Sequence, residues 1–399
     1  YKIKNLFRYG IFSFSFYDNS VDNIIGLFQN LYYERKVEEL NSQIQGLTSE
    51  LVGYQFDNAI KEYSTNSMKL FKAKLAERFF KQKGRRKFTH ESLWKDVNSF
   101  VKEYPVILST THSLRYSVSS NYLFDYIIMD EASQVDIVSG ALALSCAKNA
   151  VIVGDLKQLP NVVSGKTSEQ TSQIFESYQL NSAYQYSANS MLSSITKLFS
   201  SVPRKLLSEH YRCHPKIIGF CNQKFYNNEL IVLTEDDGRE KPLVIYKTAK
   251  GNHARNNYNQ RQIDVILEEV IPEQCANNIK KSVGIISPYR LQTNKLKEVI
   301  GKRDIEVDTV HKYQGREKDV IILTTVVYEV NEFVDNPNLI NVAVSRAVDK
   351  LIVIVSDNEK NINSNIGDLV RYIEYNNFEI INSKIYSVFD LLYHSYSER

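Results

Sequence analysis

The chain has 399 residues, 43% of them hydrophobic, and a formal net charge of +3; this length allows two or three domains with sizeable cores, and the charge is too small to argue for a nucleic-acid or membrane partner. No apolar run approaches the roughly 20 residues of a membrane span, and no small-residue cleavage site follows the aromatic run at 11–16. Cys146, Cys213, Cys221 and Cys275 form no C-x-x-C pair, so neither a zinc nor a disulfide framework is expected, and a cytoplasmic location is.

The first 20 residues are weakly patterned. Tyr33, Val37, Leu40, Ile44, Leu47 and Leu51 then recur at alternating spacings of 4 and 3, which predicts a helix with a coiled-coil seam. Gly53 interrupts it, and Met68, Phe71, Leu75 and Phe79 mark one face of a second helix. The pair reads as an antiparallel helical hairpin. It ends in a basic cluster, Lys81, Lys83, Arg85, Arg86 and Lys87. Such a run is most often a solvated face; the alternative is a hairpin that guides a nucleic-acid backbone.

From Pro105 the texture changes. Apolar runs at 106–108, 126–129 and 150–153 alternate with helical segments, as in an α/β fold with buried parallel strands. Residues 161–200 are rich in Ser, Gln and Asn and predict loops and short helices. A second strand series starts near Lys205 and continues at 243–246, 283–287, 320–325 and 351–355. Residues 357–399 read as Asn-rich, then helical, then an exposed tail. The expected organisation is a segment with the helical hairpin (1–103), a first parallel-sheet domain (104–200) and a second one with the tail (201–399).

The chemistry-bearing residues fall at strand ends, where ligands bind in parallel sheets. Asp130 and Glu131 follow the run at 126–129. An Asp there can hold Mg²⁺ through its water shell, and a Glu beside it can deprotonate an attacking water. The run at 150–153 leads to Gly154, Asp155 and Gln158, whose amide could sense a γ-phosphate; a plain polar turn closed by Pro160 is the alternative. In S-E-H-Y-R-C-H-P (208–215), Tyr211 offers a ring for a base to stack on, and Arg212 can stabilise charge on a transferring phosphoryl group. Cys213, His214 and Cys221 lack a fourth metal ligand nearby. Two further turns abut buried strands: D-T-V-H-K-Y-Q-G-R-E-K-D (308–319) and N-V-A-V-S-R-A (341–347).

Together, D-E-A-S-Q (130–134), G-D-x-x-Q-L (154–159), Y-R-x-H-P (211–215), Q-G-R-E-K-D (314–319) and N-V-A-V-S-R-A (341–347) resemble the superfamily 1 nucleic-acid helicases of the 5′-to-3′ branch, the group of the nonsense-mediated-decay helicase. The resemblance covers roughly residues 104–357 and implies two RecA-like domains, ATP and Mg²⁺ as cofactors and single-stranded DNA or RNA as partner. By that resemblance Asp130 ligates Mg²⁺, Glu131 activates water, Gln158 couples phosphate state to domain movement, and Tyr211 stacks on adenine. Arg212 and Arg346 act as arginine fingers, Glu317 contacts ribose, and Gly315 lets the backbone approach phosphate. Ser109, Thr110, Thr111, Pro288, Tyr289, Thr309 and His311 are implied contacts to the strand, through backbone amides and hydroxyls that do not read sequence. The helical hairpin corresponds to the family's stalk, a surface for protein partners.

One element of the family is missing from the sequence: the phosphate loop G-x-x-x-x-G-K-[ST]. Gly165-Lys166-Thr167 follows the Asp-Glu strand instead of preceding it and lacks the upstream glycine, so it reads as a decoy. A fragment of a longer helicase and a natural gene product without nucleotide hydrolysis both account for this, and the intact Asp130, Glu131, Arg212 and Arg346 favour the fragment. The competing functional classes are a non-catalytic nucleic-acid-binding scaffold and a metal-dependent nuclease. The nuclease lacks a strand-borne Asp/Glu-x-Lys element.

Overall fold

The computed structural model describes residues 15, 18–80, 84, 86–117, 119, 121–236, 238, 241–249, 253–275, 281–301, 303–356 and 363–386. These fall into two compact units that divide between Lys87 and Phe88. The first holds helices α1 (Val21–Gly53) and α2 (Phe56–Phe79). Ser20 Oγ accepts the Asn23 amide and caps α1, satisfying one of the orphan donors at its N-terminus. Gln55, at φ 48°, sits in the left-handed region between the helices. The two helices are as expected, but the coiled-coil burial is not. Val37, Leu40, Ile44, Leu47 and Leu51 are all exposed, and neither helix has a buried residue. Lys81, Lys83 and Arg85 lie outside the described residues; Arg86 and Lys87 are exposed.

The second unit begins with a βαβ element. Strands β1 (Phe124–Met129) and β2 (Ala147–Ile152) pair in parallel, with Ile127 opposite Ala150, and α3 (Ile137–Leu144) connects them. Here two expectations fail. Residues 106–108 form no strand, and Leu108 is 92% exposed. β1 and β2 are strands but are not buried: Tyr126, Ile128 and Val151 are exposed, Ile128 at 71%. The reason is coverage. Among the described residues β1 and β2 have no third strand beside them. Only a small cluster of Met129, Ala132, Ala143, Met191 and Leu192 packs at their carboxyl end. An apolar run declares what a strand can bury, and its neighbours decide whether it does.

The region expected to form loops and short helices contains α4 (Gly165–Tyr178) and α5 (Met191–Leu198). Gly165-Lys166-Thr167 is the first turn of α4, with Ser164 Oγ accepting the Thr167 amide as its cap. The second strand series starts at β3 (Glu209–His210), later than Lys205, and pairs with β4 (Ile231–Val232) across α6 (Pro215–Phe225).

The largest core surrounds a six-stranded, wholly parallel sheet. Its members are β5 (Leu243–Lys247), β6 (Val283–Ser287), β7 (Ile305–Thr309), β8 (Lys318–Thr324), β9 (Ala347–Val355) and β10 (Glu379–Asn382), in the order β10-β5-β9-β8-β6-β7. Alternation along each strand feeds two hydrophobic layers. Leu351, Val353 and Val355 join Leu243, Ile321 and Leu323 on the face packed by α6, α9 (Pro337–Val344) and α10 (Asn365–Tyr375). Ile352 and Ile354 join Val244, Val320 and Ile322 on the face packed by α7 (Gln260–Val265) and α8 (Arg290–Ile300). Between the expected helical stretch and the expected tail lies a strand that the sequence did not announce. α10 buries Ile366, Leu369, Val370 and Ile373, and β10 then pairs with β5 at the sheet edge. Residues 387–399 lie outside the described residues. Among the described residues no helix is long and apolar enough to cross a membrane, and none of the four cysteines is in a disulfide.

Candidate nucleotide-hydrolysis site

β1 ends on buried Met129 and delivers Asp130 and Glu131 to its carboxyl end. The Glu131 amide donates to Asp130 Oδ1 at 2.8 Å. Glu131 itself lies in the left-handed region, at φ 51°, a conformation that costs a non-glycine residue roughly 1–2 kcal/mol. The surrounding backbone holds it there. The Ala132 amide donates to Val153 O and the Gln134 amide to Glu131 O, both at 2.8 Å, while Gln134 Nε2 donates to Glu131 Oε2 at 3.1 Å. Gly154 permits this approach of β2 to the loop: a Cβ there would lie 3.1 Å from the Ala132 and Ser133 amide nitrogens. Beyond it, Asp155 Oδ1 accepts the Lys157 amide at 2.8 Å, and Oδ2 accepts Gln158 Nε2 at 3.3 Å.

The six-stranded lobe supplies the cations. His210 Nε2 accepts the Cys213 amide at 2.8 Å, closing the turn that carries Tyr211 and Arg212. Burial, reinforced by the nearby Arg212 charge, pushes the His210 imidazole down to about 4, so it is neutral at physiological pH. Tyr211 is 66% exposed, its hydroxyl bonded to Glu209. Arg212 Nη1 pairs with Glu317 Oε2 at 3.3 Å. Arg346, just past α9, is only 3% exposed. Its Nη1 reaches Arg316 O at 3.4 Å and its Nη2 reaches Ser345 Oγ at 3.2 Å. Burial, then Arg212, pull the Arg346 pKa down, whereas Glu131 and Glu317 work in the opposite direction. Gly315 lies at φ 78° beside these groups, where a side chain would be strained.

Two atoms expose what this arrangement lacks. Arg212 Nε and Arg346 Nε are buried and have no hydrogen-bond partner among the described residues. An orphaned buried donor costs about 1–3 kcal/mol, more when charged. A polyphosphate supplies acceptors and negative charge together, so the donor set fits that anion. Among the described residues no cluster of three or more His, Cys, Asp or Glu is placed to hold a metal ion. Mg²⁺ at nucleotide sites takes only one or two carboxylates and completes its shell with water and phosphate oxygens. Exposed Asp130, with one oxygen in the Glu131 bond, suits that demand.

The residues expected to touch a nucleic-acid strand lie on separate elements. Ser109 and Thr110 are exposed and Thr111 half-buried; Thr110 Oγ1 accepts the Ser113 amide at 3.2 Å. Pro288 is buried, leaving half-buried Tyr289 as the accessible residue of its turn. The Tyr289 ring packs on Phe333 at 5.3 Å and its hydroxyl accepts from Asn331 Nδ2 at 3.0 Å. Thr309 and His311 are half-buried. His311 lines a cavity of about 340 Å³ with Gln134, Asp136, Tyr186 and Gln314. Two residues that hold the site together were missed from sequence. Tyr226 donates to Asp155 Oδ2 at 2.6 Å, and Asn341 Nδ2 donates to both the Tyr226 hydroxyl, at 2.8 Å, and Lys157 O, at 2.9 Å. Asn341 opens the N-V-A-V-S-R-A motif, so a signal existed for it. Nothing in the local pattern marked Tyr226.

The strand-end carboxylates Asp130 and Glu131 and the arginines Arg212 and Arg346 thus sit on different sheets of one compact unit, with Arg346 in electrostatic reach of Glu131. Two family models, each described as an AAA domain, match consecutive parts of the chain, at residues 19–166 and 187–358. The DNA polymerase alpha-associated DNA helicase A of Saccharomyces cerevisiae is 26% identical over 372 residues, covering 80% of this chain and 50% of that protein. The DNA replication ATP-dependent helicase/nuclease DNA2 of Gallus gallus is 27% identical over 291 residues, covering 67% and 27%. The helicase sen1 of Schizosaccharomyces pombe is 25% identical over 365 residues, covering 82% and 20%. The chain spans half or less of the length of these relatives. These relatives are helicases, and the two AAA-domain matches together span most of the chain.

Proposed function

We propose that this chain is the motor core of an ATP-dependent helicase or translocase that moves on single-stranded nucleic acid, 5′-to-3′ by family resemblance, in the cytoplasm. The observation that carries the reading is the pair of arginines, half-buried Arg212 and buried Arg346, whose Nε donors are both buried without a partner among the described residues, with Arg346 in electrostatic reach of Glu131. An anion seated beside them would supply the acceptors that these two Nε groups lack among the described residues. Bound nucleotide with Mg²⁺ supplies the phosphoryl group to be transferred. Glu131 is then the base for the attacking water, Asp130 the carboxylate for the hydrated metal, and Gln158 the phosphate-facing amide. Arg212 and Arg346 hold the charge that develops, Tyr211 stacks on the base, Glu317 meets the ribose, and Gly315 gives the backbone room beside the phosphates. Ser109, Thr110, Thr111, Tyr289, Thr309 and His311 grip the strand's backbone, and the exposed apolar seam of α1 suits protein partners.

The test is ATP hydrolysis by the full-length gene product, with and without single-stranded DNA or RNA. Stimulation by the single strand, and its loss in Glu131→Gln and Arg346→Ala, is the expected result; hydrolysis unaffected by either substitution overturns the assignment. Salt-sensitive strand binding without any response to ATP identifies the scaffold instead.

A further inference from the structure

We infer that Tyr226 is a positioning residue that ties the Gln158 turn to Arg346 through Asp155 and Asn341. The inference rests on the proposed role of Gln158 as the phosphate-facing amide.

Donor and acceptor counting fixes the direction of the chain of bonds. Asn341 Nδ2 can only donate, and it donates to the Tyr226 hydroxyl at 2.8 Å and to Lys157 O at 2.9 Å. The phenol has a single proton, which therefore goes to Asp155 Oδ2 at 2.6 Å. That same oxygen accepts Gln158 Nε2 at the longer distance of 3.3 Å. Asp155 Oδ1 is already committed to the Lys157 amide. Two bonds thus converge on Oδ2, one from the β1–β2 lobe and one from the six-stranded lobe. The shorter is the one that crosses between lobes. Other crossing bonds exist, from Gln314 Nε2 to Leu159 O and from Asn338 Nδ2 to Leu156 O, but both are at 3.4 Å and involve no charged acceptor.

The second-lobe ends of the latch are rigid. Tyr226 is the C-cap of α6, whose Ile217, Ile218, Phe220 and Cys221 are buried. Asn341 is 1% exposed on α9, where Leu339, Ile340 and Val342–Val344 pack into the same core. Arg346 follows two residues after that helix ends. When the Gln158 amide turns toward a phosphate oxygen, Asp155 Oδ2 keeps Tyr226 as its side-chain partner, and a charge-assisted bond tightens as its competitor leaves. The turn's state then reaches α9, and with it Arg346, through the phenol beside the direct Asn341–Lys157 O bond.

Tyr226→Phe removes one oxygen and keeps the ring. In the full-length gene product without nucleotide, amide hydrogen exchange should accelerate roughly tenfold or more in both 155–160 and 337–344, the scale expected for losing a hydrogen bond to a carboxylate. In ATP hydrolysis kcat should fall by about the same factor while KM for ATP stays within roughly twofold. Asn341→Ala, which breaks the latch at its other link, should give the same pattern, and a thermal melt confirms that each variant folds. Unchanged exchange in both segments overturns the latch. So does acceleration confined to 155–160 with kcat preserved, because Tyr226 then only braces a turn. If the unsubstituted protein hydrolyses no ATP, the helicase reading fails by itself, and the exchange data still decide whether the latch exists.

Discussion

Replacing Arg346 by methionine should stabilise the nucleotide-free protein while abolishing hydrolysis. Arg346 is buried with its Nε unpaired, a penalty of about 1–3 kcal/mol. Its remaining bonds, at 3.4 and 3.2 Å, lie at the long edge of hydrogen-bond geometry and together contribute about 1 kcal/mol. Arg212 repels it, and Glu131 and Glu317 offset part of that repulsion. Methionine keeps most of the aliphatic stem's packing and removes the buried charge. The net gain is about 1 kcal/mol, which corresponds to a rise of about 2 °C in Tm for a protein of this size. Differential scanning calorimetry without nucleotide measures it directly. A non-hydrolysable ATP analogue should then stabilise the unsubstituted protein more than the variant, reversing or closing the gap. A fall in Tm of more than about 2 °C without nucleotide refutes the reasoning, since Arg346 would then be a structural element of the empty protein and not a charge waiting for an anion.

His210 gives the stability a pH dependence. Its folded-state pKa of about 4 lies below the ordinary 6.5, so the neutral ring's contribution is fully present above pH 6.5 and is lost as pH falls toward 4. The shift alone corresponds to about 3 kcal/mol, which partial solvent exposure reduces to roughly 1–2 kcal/mol. Urea unfolding at pH 7 and 4.5 should show a smaller loss in His210→Gln, and equal losses in both proteins contradict the assignment. Gln262, fully buried, donates to Thr325 Oγ1 and Ser356 Oγ and accepts from Thr324 Oγ1 and the Val326 amide. It thereby holds Val326 at φ 70°, an unfavourable conformation for a β-branched residue. Gln262→Ala should destabilise by roughly 3–5 kcal/mol in the same urea assay, and a loss under 1 kcal/mol removes Gln262 as the keeper of that turn.

What could be read from the sequence divides by how local its cause is. The four interior strands of the six-stranded sheet announce themselves because each is apolar on both faces, and both faces find helices; the edge strands β7 (I-E-V-D-T) and β10 (E-I-I-N) carry polar residues and were not read as strands. The same signal at 126–129 and 150–153 located strands correctly and misjudged their burial, because burial belongs to neighbours that the pattern of a strand does not encode. Asp130, Glu131 and Arg212 were legible as residues that follow strands, and Arg346 as a charge in the turn before one, where the structure places them. Tyr226 was not: an aromatic at the end of an amphipathic helix is ordinary, and only its hydroxyl, bonded to a carboxylate 71 positions earlier, distinguishes it. Asn341 lay inside a recognised motif and still escaped a role, since the atom it serves is on a side chain more than 100 residues away. Motifs mark the groups that meet a ligand. The groups that connect those motifs are specified by long-range donor–acceptor matching, which leaves no period or spacing in the chain. The unpaired Arg212 and Arg346 Nε atoms belong to a third kind, visible only as a deficit: sequence shows that the arginines are present, and the fold shows that no described residue satisfies these two donors.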